Sequence, residues 1–132
     1  RQRQMCIRDR VKDRVKHVIF ENARVKRAVS ALENGNLKAF GTILCEAHAS
    51  IRDLYEVTGP ELDTMFEIAS HTDGCIGARM TGAGFGGCTV NIVLKESAEA
   101  FIRDVGRAYT QRTGIIPEFY LCTAGDGARE LF

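Results

Sequence analysis

The chain has 132 residues, 45% hydrophobic and 27% charged, with a formal net charge of +1 at pH 7. That length suits one domain around one core. The first ten residues carry four arginines against one aspartate, which leaves residues 11–132 mildly acidic at −2 and argues against a nucleic-acid-binding face.

In chain order, residues 1–10 have no apolar period and are expected to be a tail foreign to the domain, which then spans residues 11–132. The chain opens on Arg1 rather than Met, so an upstream portion is expected to be missing. Val15–Phe20 is rich in β-branched residues and predicts a strand. Residues 22–34 place Val25, Ala28, Val29 and Leu32 on one helical face, stopped by Asn34-Gly35. Leu37, Phe40, Leu44, Ala47, Ile51 and Leu54 step by three and four, which predicts a second helix. Thr58-Gly-Pro-Glu61 fits a capping box and opens a third helix carrying Leu62, Met65, Phe66 and Ala69.

Cys75–Met80 is a short, mostly apolar run. Cys88, Val90, Ile92 and Leu94 alternate with their neighbours as a half-buried strand does. Ala98, Phe101, Ile102, Val105, Ala108 and Tyr109 form a further helical stripe closed by Gly114. Phe119, Leu121 and Thr123 predict a last strand after Pro117. The order gives an α+β fold of ferredoxin-like, split βαβ type, an antiparallel sheet with helices on one face and helices inserted before the central hairpin.

Five cysteines stand at wide spacings with no C-x-x-C, which suggests neither a disulfide framework nor a zinc site. Cys75, Cys88 and Cys122 fall in expected strands and read as buried thiols, so a cytoplasmic location follows. No apolar run approaches the roughly 20 residues that cross a bilayer, so no membrane partner is expected.

The most informative stretch is Gly77-Ala-Arg-Met-Thr-Gly-Ala-Gly-Phe-Gly-Gly-Cys88. Six of the 13 glycines lie between Gly74 and Gly87. A two-residue hairpin needs one or two, and the excess points to a backbone that something approaches closely. Gly82–Gly87 satisfies G-x-G-x-x-G, but a strand rather than a helix follows, which excludes a dinucleotide fingerprint. The chain also lacks Val-Ala-Ile-Lys, Asp-Phe-Gly and His-Arg-Asp, which excludes a protein kinase.

This stretch resembles the third signature motif of galactokinases, members of the galacto-, homoserine, mevalonate and phosphomevalonate kinase superfamily. His17-Val-Ile-Phe-Glu-Asn22, Glu46-Ala-His-Ala-Ser-Ile-Arg-Asp53, Tyr55-Glu-Val-Thr-Gly-Pro-Glu-Leu-Asp63, Pro117-Glu-Phe-Tyr-Leu121 and Gly125-Asp-Gly-Ala-Arg129 resemble segments of the C-terminal half of that family, in the same order. The resemblance implies a C-terminal domain whose intact enzyme passes the γ-phosphoryl of ATP to the anomeric hydroxyl of D-galactose with Mg²⁺. It implies that Thr81, Gly82, Ala83, Gly84, Phe85, Gly86 and Gly87 lie at the ATP phosphate site, beside a triphosphate loop supplied by the N-terminal domain.

No residue of this chain inherits a catalytic or metal-ligand role from the resemblance. The fragment is expected to be inactive alone, to bind no cofactor tightly and to self-associate through the surface that would meet its own N-terminal domain. Another superfamily kinase, or a galactose-sensing regulator on the same scaffold, is the alternative, and a small interaction module without nucleotide is a third reading.

Outside the loop, His48 reads as part of a polar edge against a partner surface rather than as a base, since no nucleophile or metal set accompanies it. His17 reads as structural, and His71 with Asp73 as turn residues. Asp126 and Arg129 read as an exposed terminal turn. Arg79 is open between a phosphate-facing and a solvent-facing position.

Overall fold

The computed structural model describes residues 2–125 and 127, with side chains from Cys6 onward. Helix α1 runs from Gln2 to Glu33. It takes in the segment expected as a tail, whose residues 6–10 are helical and exposed, and the segment expected as a strand, Val15–Phe20. The strand expectation is corrected by what a strand requires. Backbone donors and acceptors must be satisfied, and a helix does this within itself whereas a strand needs a neighbour.

The face of α1 that packs inward is polar. Arg14 donates to the Leu54 carbonyl and pairs with Glu56. His17 shares a 2.8 Å hydrogen bond with Ser50 Oγ, and Glu21 pairs with Arg24 at 2.9 Å and with Arg79 at 3.1 Å. Val25, Val29 and Leu32, expected to share one helical face, are exposed together with Val11, Val15 and Val18, while Ala31 is buried. Spacings of four and three keep these six residues on one side of α1, adjacent to its packed face.

Helix α2 spans Leu37–Ser50, capped by Asn36, whose Oδ1 accepts from Ala39 N at 3.0 Å. Its end widens into a single π-helical turn, Ile51–Tyr55, which Glu56 closes at φ 58°. Helix α3, Pro60–His71, has Gly59 rather than Thr58 at its N-cap and no side-chain cap, so the expected capping box is not formed. Thr58 is buried instead, and Pro60 with Glu61 and Asp63 suits the first turn, where a missing N–H costs nothing and negative charge meets the helix dipole.

Strands β1, Cys75–Thr81, and β2, Cys88–Val93, pair antiparallel from Thr81↔Cys88 to Cys75↔Val93, with an irregularity between Cys75 and Gly77. Helix α4, Ala98–Thr113, ends at Gly114 with φ 73°, as its glycine stop predicts. The class is therefore α+β, but among the described residues the sheet has two strands rather than the four of a split βαβ plan. Residues 115–125 run without strand pairing, although Phe119 still packs on the core.

That core joins Ala69, Ala78, Phe101 and Val105, with Met65, Phe66 and Val93 around them. A second cluster joins Ile51, Leu62 and Met80 beneath the hairpin. The cysteine expectation is corrected accordingly. Cys75 is half-buried, its thiol pKa pushed up by burial, whereas Cys88 and Cys122 are exposed because no further strand covers them.

Helix α2 approaches β1 closely where both carry glycine. A Cβ on Gly41 would enter the Ile76 carbonyl and lie 2.8 Å from Ile76 Cγ2, and a Cβ on Gly77 would enter the Gly41 backbone. This contact carries α2 alongside β1, and with it His48, to the base of the glycine loop.

Candidate functional site at the glycine loop

The loop leaves β1 at Thr81, which is exposed, and returns at Cys88. Gly82, Gly84 and Gly86 take φ of 82°, 86° and 92°, and Phe85 between them sits at 56°. Left-handed backbone is cheap for glycine and uncommon for phenylalanine. Two contacts impose it: Phe85 N donates to Val57 O at 2.8 Å, and a Cβ on Gly84 would enter that same carbonyl. By contrast, a Cβ on Gly82 or Gly86 would meet nothing within 4 Å. The Phe85 ring stands 76% exposed.

Val57 is held in its turn by the Glu56 kink, and Glu56 by Arg14 of α1 at 2.6 Å. Sequence reading missed this anchor. The only signal for it was the Tyr55–Asp63 segment, whose capping pattern drew attention to a helix start instead.

On the β1 side, Met80 N donates to His48 Nδ1 at 3.0 Å, and His48 Nε2 lies 3.1 Å from Asp63 Oδ1. His48 is fully buried and stacks on Phe66 at 3.9 Å. Burial lowers its pKa against the pull of Asp63. The expected polar edge is thus an interior site, since the glycine contact draws α2 onto β1. His17 is buried, and burial lowers its pKa also.

Arg79 is partly buried; its guanidinium pairs with Glu21, and its Nε donates to Met80 O at 3.1 Å. Asp73 is exposed in a turn, as read, whereas His71, also exposed, is the last residue of α3, its Nδ1 2.7 Å from the Glu67 carbonyl one helical turn back. Asp126 and Arg129 lie outside the described residues.

A groove of about 740 Å³ opens beside the loop, lined by Thr81, Gly86, Gly87, Leu62, Asn91 and Phe119 among others. Residues 81–87 carry no ionisable side chain. The loop can therefore offer only backbone groups, the Thr81 hydroxyl, small surfaces and one aromatic ring. Among the described residues no cluster of His, Cys, Asp and Glu could hold a metal, so the loop does not suit Mg²⁺, whereas its backbone N–H groups suit an anion.

The family described as GHMP kinases C terminal matches residues 28–111, which include the whole loop. The chain belongs to this GHMP kinase C-terminal family. This GHMP kinase C-terminal domain is 49% identical over 127 residues to a galactokinase of Clostridium beijerinckii, covering 96% of this chain and 33% of that protein. It is 51% identical over 117 residues to a galactokinase of Halalkalibacterium halodurans, covering 89% and 30%.

The crystal structure of Lactococcus lactis galactokinase complexed with galactose matches with a TM-score of 0.82 at 46% identity, over 85% of this chain and 29% of that one. The chain thus spans about a third of the length of the curated galactokinases it matches, in their C-terminal part. No helix among the described residues is long and apolar enough to cross a membrane.

Proposed function

We propose that this chain is the C-terminal domain of a galactokinase, whose intact form transfers the γ-phosphoryl of ATP to the anomeric hydroxyl of D-galactose. The observation that carries the reading is the 49% and 51% identity to two galactokinases along most of the chain, including a loop without an ionisable side chain. Phosphoryl transfer depends above all on positioning and on donors aimed at phosphate oxygens. Thr81, Gly82, Ala83, Gly84, Phe85, Gly86 and Gly87 would brace the ATP phosphate site; the Phe85 N–H is taken by Val57 O, and the N–H groups of the glycines around it are suited to an anion or to the neighbouring loop that holds it.

The loop carries no carboxylate. Mg²⁺, which neutralises phosphate charge in such transfers, would accordingly be held by the companion domain, together with galactose. We take residues 11–132 as the domain, with helix α1 running unbroken from Gln2 through residues 2–10 into it. Five unpaired thiols support a cytoplasmic address.

The purified chain, given Mg²⁺, ATP and galactose, will release no ADP above a galactose-free control. Galactose-dependent release would overturn the assignment of the chemistry to the companion domain.

The exposed stripe Val11, Val15, Val18, Val25, Val29 and Leu32, whose helix packs through its polar side, supplies a surface for that companion. Left uncovered, such a stripe drives self-association. Sedimentation will show the apparent mass rising with concentration, and Val18→Glu with Val25→Glu will suppress the rise. A monomer at every concentration would contradict it.

A further inference from the structure

His48 is the one fully buried imidazole of the described residues, and nothing in the proposed chemistry uses it. Every polar position on its ring is committed. Met80 stands opposite Thr89 of β2, but its backbone N–H turns to the other edge of β1, where no strand lies among the described residues, and finds His48 Nδ1 at 3.0 Å. A backbone N–H can only donate, so Nδ1 must present a lone pair. The proton of the neutral ring therefore sits on Nε2 and is donated to Asp63 Oδ1 at 3.1 Å. A second proton, on Nδ1, would point at the Met80 N–H and break the bond.

The charged groups facing the ring are Asp63 on α3, Arg52 and Asp53 on the π turn and Arg79 on β1. Phe66 of α3, its ring stacked 12° from parallel, fixes the tilt of the imidazole.

We infer that His48, as a neutral imidazole with its proton on Nε2, is the positioning residue that sets where the glycine loop leaves the sheet. Met80 is the last buried residue of β1 and adjoins Thr81, the first residue of the loop. The loop is then pinned at two points from two elements, at Met80 by His48 of α2 and at Phe85 by Val57 after the π turn. Between those pins the glycines can hold a single path without side-chain packing. With no ring nitrogen free for substrate, His48 acts through Met80. The functional weight of the inference rests on the proposed phosphate-site role of the loop; its structural content does not.

The test uses the 132-residue chain labelled with ¹⁵N. Long-range proton–nitrogen correlations should show His48 with a bare Nδ1 and a protonated Nε2 at neutral pH, and still neutral at pH values where an ordinary histidine has charged. A protonated Nδ1, or an ordinary titration, would overturn the inference without any substitution being made. His48→Leu should raise amide exchange at Met80 and Gly82–Gly87 by about tenfold or more while Val105 stays protected. His48→Asn, whose amide oxygen keeps an acceptor near the place of Nδ1, should restore most of the protection at Met80.

Unchanged exchange at Met80 and the loop in His48→Leu would also overturn the inference. Should that variant unfold, the wild-type tautomer decides. Failure here would leave the galactokinase reading standing, since that reading is tested by galactose-dependent ADP release instead.

Discussion

Gly41→Ala will destabilise the domain by about 3 kcal/mol or more, measured as the loss of unfolding free energy in urea. A methyl group there lands in the Ile76 carbonyl and 2.8 Å from Ile76 Cγ2. Backbone cannot rotate aside as a side chain can, so α2 must slide off β1. Gly77 faces the Gly41 backbone from the strand side, so the approach leaves no slack for the shift. The displacement would also withdraw His48 from Met80 and Ile51 from Leu62 and Met80, coupling a packing defect to a lost buried hydrogen bond. Gly82→Ala serves as the control. Its Cβ meets nothing within 4 Å, and only the left-handed backbone is penalised, by about 1–2 kcal/mol. Equal losses in the two variants would show that α2 does not ride on β1 as described.

Gly84→Val will leave the domain folded and displace the loop. Both constraints act against it at once: φ is 86°, and the Cβ position falls inside the Val57 carbonyl that also accepts from Phe85 N. The clusters around Val105 and Met80 lie outside the loop, so amide shifts should be confined to residues near 56–58 and 81–88. Within an intact kinase, a displacement of about 1 Å at a positioning element costs on the order of 100-fold in rate. A fall in kcat/KM of at least that size is expected, with stability changed far less than in Gly41→Ala. Full activity in Gly84→Val would mean that the loop's path does not matter to the chemistry.

What the sequence revealed follows a physical pattern. The hairpin, α4 and the body of α2 were legible because each carries its own periodic signal and stop: alternation in Cys88–Leu94, the stripe from Phe101 to Tyr109 closed by Gly114, and the three-four steps from Phe40 to Ile51. The segment Val15–Phe20 misled because local β-branching is a weaker determinant than the chance to satisfy the backbone, and the polar series Arg14, His17, Glu21 and Arg24 finds partners only as a helix.

The orientation of α1 was hidden for a related reason. Hydrophobic periodicity locates an apolar face but not what covers it, and here the polar face packs inward. For the site, the glycine spacing pointed to the loop, but the acceptors that shape it, Val57 O and His48 Nδ1, are 24 or more residues away in the chain and leave no local pattern.

The most direct test of the account is a graft. The 132-residue chain would replace the matching C-terminal portion of the Clostridium beijerinckii galactokinase, to which it is 49% identical over 127 residues. The account predicts a soluble chimera with galactose-dependent ADP release that Gly84→Val abolishes. A folded chimera without that activity, or one indifferent to Gly84→Val, would contradict it.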